Sequence, residues 1–196
     1  MSIFLSASIP VPGRGEYYLT ADPYLIQYAV RELAITVLGR KKLVWGGHPA
    51  ITPMIWAACE DLGVNYAQNV TLYQSRYFQK LFPEDNANFE NVVYTDDVEG
   101  DREKSLSEMR RRMFTDVKYS AAVFIGGMDG IETEFDLLSA HQHDCKIFAI
   151  GAPGGASRAL AQRLNSPEDL KSSINFTSIF HKYLGINYND VRNVGS

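Results

Sequence analysis

The chain has 196 residues, 45% of them hydrophobic and 21% charged, which suffices for one sizeable core and would leave a second domain cramped. The formal net charge of −4 argues against duplex nucleic acid as a partner, because phosphate backbones require a basic surface. The sequence contains no apolar run long enough for a membrane span, and Cys59 and Cys145 lack the spacing of metal ligands. We therefore expect one cytoplasmic domain over residues 1–196, with reduced thiols, no metal or other cofactor, and no membrane partner.

Short apolar segments alternate with segments of helical periodicity along the chain. The first strand is predicted at 3–8 and the first helix at 22–38, where Asp22 can cap the helix and Pro23 suits its first turn. Further strands are predicted at 42–47, 69–75, 91–97, 121–125 and 146–151. Further helices are predicted from Thr52 as the cap to 62, at 76–82 and 101–117, after Gly130, and at 156–164, with one or two more beyond.

Strands that alternate with helices pair in parallel through right-handed crossovers. The sequence therefore predicts an α/β fold, namely a Rossmann-like, doubly wound and mainly parallel sheet flanked by helices. We expect the aromatic residues of the helical segments to pack in the core; these are Tyr24, Tyr28, Trp56 and Phe78.

Ligands of open α/β sheets bind beyond the carboxyl ends of the strands, so the residues that follow each strand are the first candidates for a site. Three of these segments contain a glycine pair, at positions 46–47, 126–127 and 154–155. Glycines at such places let backbone N–H groups approach an anion, and the N-terminus of the next helix adds a favourable dipole. We therefore expect glycines to form a phosphate-binding floor at this edge.

The remaining candidates carry hydroxyl, amide, imidazole or charged groups at the same edge, which suit ribose, base and phosphate. The full set of candidate ligand-binding residues is Ser8, Gly46, Gly47, His48, Thr52, Gln74, Ser75, Arg110, Arg112, Gly126, Gly127, Met128, Gly130 and Glu134. Neighbouring residues on a helix point about 100° apart, so the three arginines at 110–112 cannot all face one ligand. Which of them points inward stays open.

Two glutamates, Glu132 and Glu134, follow the third glycine of the segment "IGGMDGIETEF". They lie two positions apart, so only one of them can point to the site. A carboxylate would be repelled by phosphate and attracted by ribose hydroxyls, which makes ribose its better partner. The chain contains no GxGxxG, P-loop or nucleophile-elbow motif, so the site is not a standard dinucleotide or P-loop site.

The segment "SEMRRRMFTDVKYSAAVFIGGMDGIETEFDLL" resembles the LOG-Smf/DprA (SLOG) superfamily, whose motif reads roughly M-x-x-R-K, then a strand, then P-G-G-x-G-T-x-x-E. Gly126, Gly127 and Gly130 match the glycines, with one extra residue before the third, and Glu134 matches the glutamate. The motif arginine matches Arg112 when the methionines are aligned and Arg110 when the glycines are. Ile125 and Ile131 stand where the motif has proline and threonine.

The resemblance carries an enzymatic implication. Lonely-guy enzymes of this superfamily use the arginine and the glutamate to cleave the N-glycosidic bond of nucleoside monophosphates. By this resemblance Glu134 is the catalytic residue if the chain is an enzyme.

Five segments together resemble more closely the SLOG subgroup found beside TIR or sirtuin-type NADase domains (STALD). They occur in the order "LSASIP", "WGGHPAITPMI", "LYQSRYF", "SLSEMRRRMF" and "VFIGGMDGIETEF". In antiphage systems of the Thoeris type such domains bind a cyclic ADP-ribose variant and switch an attached NADase effector. The resemblance implies a nucleotide sensor that forms a homodimer or higher oligomer, with a possible NADase effector domain in the parent protein.

Three functions stay open on these grounds. The favoured one is a sensor or binding domain for an NAD-derived nucleotide of the cyclic ADP-ribose type. The alternative is an N-glycosidase or ribosyl-transferring enzyme that acts on a nucleoside 5′-phosphate. A pure oligomerisation module is the third, and it would leave the three glycine pairs unexplained.

Overall fold

The computed structural model describes residues 1–193, and in this part of the chain six strands form one all-parallel sheet. Residues 194–196 of the predicted domain lie outside the described residues. The strands are β1 Ser2–Ser8, β2 Lys42–Gly46, β3 Val70–Ser75, β4 Asn91–Thr95, β5 Tyr119–Gly126 and β6 Lys146–Ile150. Their order across the sheet is β4-β3-β2-β1-β5-β6, so the direction of winding reverses between β1 and β5. The predicted Rossmann-like α/β fold is confirmed.

Seven α-helices connect and follow the strands in the described residues. They are α1 Pro23–Val37, α2 Thr52–Leu62, α3 Arg102–Asp116, α4 Asp129–His141, α5 Ala156–Arg163, α6 Glu168–Ser172 and α7 Phe176–Leu184. Short 3-10 helices lie at Tyr17–Leu19, Val64–Asn69, Arg76–Leu81 and Glu84–Asn88. The helix predicted at 76–82 is therefore a 3-10 helix. None of the helices described is long and apolar enough to cross a membrane.

The first turns of the helices test the predicted caps. The Asp22 carboxylate accepts hydrogen bonds from the backbone N–H groups of Tyr24 and Leu25 at 2.9 and 3.1 Å, so it caps α1 as predicted. The prediction for Thr52 was wrong, because Ile51 holds the capping position of α2 and Thr52 is already helical. The Thr52 hydroxyl is buried and has no hydrogen-bond partner among the described residues.

Each face of the sheet packs against its own layer of helices. Ile3 and Leu5 of β1 belong to the core that includes α1, α2 and α7, whereas Phe4 belongs to the core that includes α3, α4 and α5. A parallel sheet covered on both faces requires near-continuous apolar strands, which is the pattern seen in the sequence. Its carboxyl edge is therefore where irregular polar segments come together.

Two of the aromatic residues predicted for the core lie at the surface. Tyr24 and Tyr28 are 83% and 44% exposed, because they occupy the side of α1 opposite its buried stripe. Trp56 is half-buried and packs edge-on against Phe89, with the ring centroids 5.7 Å apart. The prediction that the aromatic residues of the helices pack in the core is thus wrong for Tyr24 and Tyr28.

Candidate functional site

A cavity of about 270 Å³ opens at the carboxyl edge of the sheet, beside the point where the strand order reverses. Ligands of open α/β sheets bind at this place. The ends of β1 and β2 line the cavity, together with the segment after β3, one side of α3, and the first turn and a half of α4. Three arginines and two carboxylates lie along its wall, namely Arg14, Arg102, Arg110, Asp129 and Glu134.

The structure brings nine of the predicted ligand-binding residues to this cavity. They are Ser8, Gly46, Gly47, His48, Gln74, Arg110, Met128, Gly130 and Glu134. The other five lie away from its wall; they are Thr52, Ser75, Arg112, Gly126 and Gly127. That any of these residues contacts a ligand stays a prediction. The nine residues at the cavity and the five away from it lie in different surroundings.

The carboxylate of Glu134 is held from two directions at the wall of the cavity. Its Oε2 accepts a hydrogen bond from the Ser6 hydroxyl at 2.5 Å, and its Oε1 accepts one from Nε of Arg110 at 3.3 Å. The side chains of Arg110 and Glu134 are only 11% and 15% exposed. A carboxylate offers about four lone-pair sites, so two contacts leave room for hydroxyl groups of a ligand. Glu132, by contrast, does not line the cavity.

The first turn of α4 offers backbone donors to the same cavity. Within residues 1–193 the N–H groups of Met128, Asp129 and Gly130 have no hydrogen-bond acceptor, and no side chain caps the helix. Arg110 lies beside this turn, because its Nη2 is 3.2 Å from the place that a Cβ on Gly130 would occupy. Helix N-terminal N–H groups with an adjacent guanidinium suit an anion such as phosphate.

These observations agree with what sequence comparison finds. The sequence model of the SLOG cluster3 family matches residues 16–184, which is most of the chain. The chain belongs to the SLOG cluster3 family. No curated protein shows a significant match to it.

The expected membership of the SLOG superfamily is thus confirmed, while the finer assignment to the STALD subgroup stays a prediction. Membership of the superfamily indicates nucleotide-related binding or ribosyl transfer. The strand β1, with Ser6 and Ser8, lies before the first matched residue.

In this SLOG domain the glycine pair after β5 has hydrogen bonds of its own. The N–H of Gly126 donates to the Ser157 hydroxyl at 2.9 Å, and the N–H of Gly127 donates to the carbonyl of Ser8 at 2.8 Å. Phosphate contacts through these two N–H groups would require those bonds to break. The open donors of the segment lie one residue further on, from Met128 to Gly130.

Two more candidates outside the cavity, Ser75 and Arg112, have local partners. Ser75 is fully buried and accepts a hydrogen bond from the N–H of Tyr77 at 3.3 Å. Arg112 pairs with Asp116 at 3.2 Å on the outer side of α3. Of the two arginines that the motif alignments allow, Arg110 is therefore the one that lines the cavity.

His48 lies at the start of the turn between β2 and α2. Its Nδ1 accepts a hydrogen bond from the N–H of Ala50 at 3.2 Å. Burial, and to a lesser extent the charge of Arg14, lowers the pKa of His48 below 6.5. At neutral pH the ring is uncharged, so the proton is on Nε2, which can donate to a hydroxyl or carbonyl group of a ligand.

Sequence reasoning missed several residues of the site. Ser6 precedes Ser8 by two positions, so the alternation of side chains along a strand could have placed both on one face. Phe78 was assigned to the core, yet it lines the cavity beside Phe82. No sequence pattern identifies Arg14, because it reaches the cavity from an irregular loop.

The described part of the chain contains no group of three or more His, Cys, Asp or Glu side chains that could hold a metal ion. Both cysteines are free and buried. Burial, aided by the nearby charge of Glu60, raises the pKa of Cys59 to about 12. Burial alone raises the pKa of Cys145 to about 11. Neither thiol lines the cavity, so neither contributes a thiolate to the site at neutral pH.

Proposed function

We propose that this domain is a sensor or binding domain for an NAD-derived nucleotide of the cyclic ADP-ribose type. The observation that carries the proposal is the combination of groups in one cavity. Open helix N–H donors and Arg110 lie on one side, a carboxylate with spare lone pairs lies next to them, and Phe78 and Phe82 lie on the far side. Phosphate, ribose and base are the three chemical parts that this arrangement suits.

The phosphate end is the first turn of α4. Four of the five N–H donors of Arg110 remain after its contact with Glu134, and Arg14 reaches the same region to pair with Asp129 at 3.3 Å. Charge-assisted hydrogen bonds from guanidinium groups to phosphate are roughly twice as strong as neutral ones. Together with the helix dipole, these donors favour an anion at this place.

The ribose position follows from Glu134. Its carboxylate faces the cavity between the phosphate end and the strand edge, where the Ser6 and Ser8 side chains also lie. A carboxylate there accepts hydrogen bonds from ribose hydroxyls and would repel a phosphate. In this proposal the ribose lies between the two ends of the cavity.

The size of the cavity limits how much of the ligand it can enclose. Small-molecule sites typically measure about 300–1,000 Å³, so a cavity of about 270 Å³ suits one nucleoside with a phosphate. The second half of an ADP-ribose-type ligand would extend through the mouth, where Arg14 and Arg102 lie. In this proposal the ligand is shared with a second copy of the chain in a homodimer, and binding switches an NADase effector domain of the parent protein.

One observation favours the alternative, an N-glycosidase or ribosyl-transferring enzyme acting on a nucleoside 5′-phosphate. Ser6 and Arg110 hold the Glu134 carboxylate in place, and a fixed carboxylate beside the anomeric carbon would stabilise an oxocarbenium-like transition state. In that case Glu134 is the catalytic residue. Ile125 and Ile131, which replace the proline and threonine of the hydrolase motif, favour binding over cleavage.

The two functions are separated by incubating the protein with AMP, NAD⁺ and cyclic ADP-ribose isomers. Base release is followed by chromatography, and thermal unfolding is followed in parallel. A ligand present at one hundred times its Kd adds about 2.7 kcal/mol of stability, which raises the Tm of a domain of this size by roughly 5–10 °C. A shift of this size without product supports the sensor.

Two glutamates on α4 provide the variant and its matched control. Glu134→Gln should lose the thermal shift, whereas Glu132→Gln, which changes a residue away from the cavity, should keep it. Base release that is lost in Glu134→Gln and kept in Glu132→Gln would establish the enzyme instead. An unchanged Tm with every nucleotide, together with no base release, would contradict both functions.

A further inference from the structure

Gln74 is a buried polar residue that points to the cavity without a protein partner. It is the last but one residue of β3, it is only 4% exposed, and it lines the cavity. Its side-chain amide makes no hydrogen bond with any of residues 1–193, and neither of its polar atoms is among the fully buried unpaired atoms, so the amide is open to the cavity. A polar group whose only free side faces a cavity can be paired by what binds there.

The neighbouring strand holds this amide in place by packing. A Cβ at position 47 would overlap the amide of Gln74 and would lie 2.6 Å from a methyl group of Leu72. Gly47 itself is fixed, because its N–H donates to the carbonyl of Tyr73 at 2.9 Å. The missing side chain at position 47 therefore creates the space that the amide occupies.

The amide lies at the opposite end of the cavity from the phosphate donors. Strands β3, β2, β1 and β5 are consecutive neighbours in the sheet. Three strand spacings separate β3 from β5, which is on the order of 14 Å. Glu134 and Ser6 lie between the two ends, since Ser6 belongs to β1. This order matches base, ribose and phosphate in a nucleotide.

Apolar side chains line the same cavity as the amide. They are Phe78, Phe82, Leu106 and Met109. Apolar and aromatic surfaces suit the faces of a base, and a primary amide in the same cavity can bind to its edge. The amide supplies one donor and one acceptor for that edge.

We infer that Gln74 reads the edge of a base that presents a hydrogen-bond donor next to an acceptor, as adenine does with its 6-amino group and a ring nitrogen. Oε1 of Gln74 accepts from the amino group, and Nε2 donates to the ring nitrogen. This inference rests on the proposed nucleotide function and adds the base to it. Adenine is also the base of an ADP-ribose-type ligand.

The test compares three ligands that differ only at the base: AMP, purine riboside 5′-monophosphate, which lacks the 6-amino group, and ribose 5-phosphate. Binding is measured by titration calorimetry for the unaltered protein, for Gln74→Met, and for Gln79→Met as the matched control. Gln79 lies in the 3-10 helix after β3 and is exposed. Methionine keeps the length of the side chain and removes the amide.

We expect the unaltered protein and Gln79→Met to bind AMP about tenfold or more tightly than purine riboside 5′-monophosphate, as for a bidentate base contact. In Gln74→Met this preference should vanish, while binding of ribose 5-phosphate stays the same. The Tm of Gln74→Met without ligand should be unchanged or higher, because the amide has no protein hydrogen bond to lose.

Two results would overturn the inference alone. The first is an AMP preference that survives in Gln74→Met while the unaltered protein binds AMP and ribose 5-phosphate. The second is a large loss of unliganded stability in Gln74→Met with equal weakening for all three ligands, which would make Gln74 structural. Failure of the unaltered protein to bind any of the three would overturn the nucleotide function and this inference with it.

Discussion

Strands β5 and β2 both end in a glycine pair, Gly126 and Gly127 in one case and Gly46 and Gly47 in the other. After β5 both glycines have positive φ, 62° and 76°, so the pair sets the backbone turn into α4. After β2 neither glycine has a left-handed φ, and the second one leaves space for Gln74. A glycine pair thus sets the backbone conformation in one turn and the shape of the cavity in the other. Variants of the two turns should therefore fail in different ways.

The largest effect is expected from Gly127→Ala. Alanine at a left-handed φ costs about 1–2 kcal/mol, and its Cβ would also overlap the side chain of Ile131. The expected loss in the free energy of unfolding is about 3 kcal/mol, measured by urea denaturation.

Gly100→Ala is the matched control for this prediction. Gly100 has a φ of 67° with open space around it, so only the backbone cost should appear. Equal losses in Gly127→Ala and Gly100→Ala would show that the contact with Ile131 contributes nothing.

The second effect concerns the hydrogen bond that fixes the turn after β5. The Ser157 hydroxyl accepts from the N–H of Gly126 at 2.9 Å and lies 2.7 Å from the carbonyl of Ile150, to which it donates. Ser157→Ala leaves a buried N–H unpaired and should cost about 1–3 kcal/mol of stability, whereas exposed Ser172→Ala should change it little. A stable Ser157→Ala with reduced nucleotide binding would mean that this turn belongs to the site after all.

A third effect tests the turn after β2 through binding. Gly47→Ala should push the Gln74 amide out of place and weaken AMP binding about tenfold, while costing only about 1 kcal/mol of stability. Gly100→Ala is the control for binding, because Gly100 lies away from the cavity and its Cβ would meet no atom within 4 Å. The AMP affinity of both variants is measured by calorimetric titration. Unchanged AMP affinity in Gly47→Ala would show that Gly47 does not set the position of the amide.

The smallest effect concerns His48, which follows the pair after β2. Burial and Arg14 lower the pKa of His48 in the folded protein below 6.5. As the pH falls through 6.5, the unfolded chain binds this proton before the folded one does, so the folded state loses stability until its own lower pKa is passed. Above that range the contribution is constant. Thermal unfolding at pH 7.5 and pH 5 should show a smaller decrease for His48→Gln than for the unaltered protein, and parallel decreases would refute this.

The fold followed from the sequence because both faces of the sheet are buried. Each strand needed a continuous apolar run, and the second strand, predicted at 42–47, ends at Gly46. The ends of helices were harder to predict. Threonine is a residue type that often caps helices, but tertiary packing buries the Thr52 hydroxyl and leaves Ile51 at the capping position.

The site was predicted where the rule for strand ends applies and missed elsewhere. That rule placed His48 and Gln74 at the edge where the cavity lies, and the resemblance to the SLOG motif selected Glu134. It could not show that the N–H of Gly126 is bonded, because the acceptor, Ser157, lies 31 residues further along the chain. Contacts of this kind depend on the packing of α5 against β5, which no local pattern encodes.

The ion pair between Arg14 and Asp129 lies at the mouth of the cavity. The two side chains are 44% and 73% exposed, and such pairs contribute at most about 1 kcal/mol. An arriving phosphate can therefore replace Asp129 as the partner of Arg14 with almost no barrier from this pair. Charges at the rim of a site act mainly on association. We expect Arg14 to govern how fast a nucleotide is captured, more than how long it stays bound.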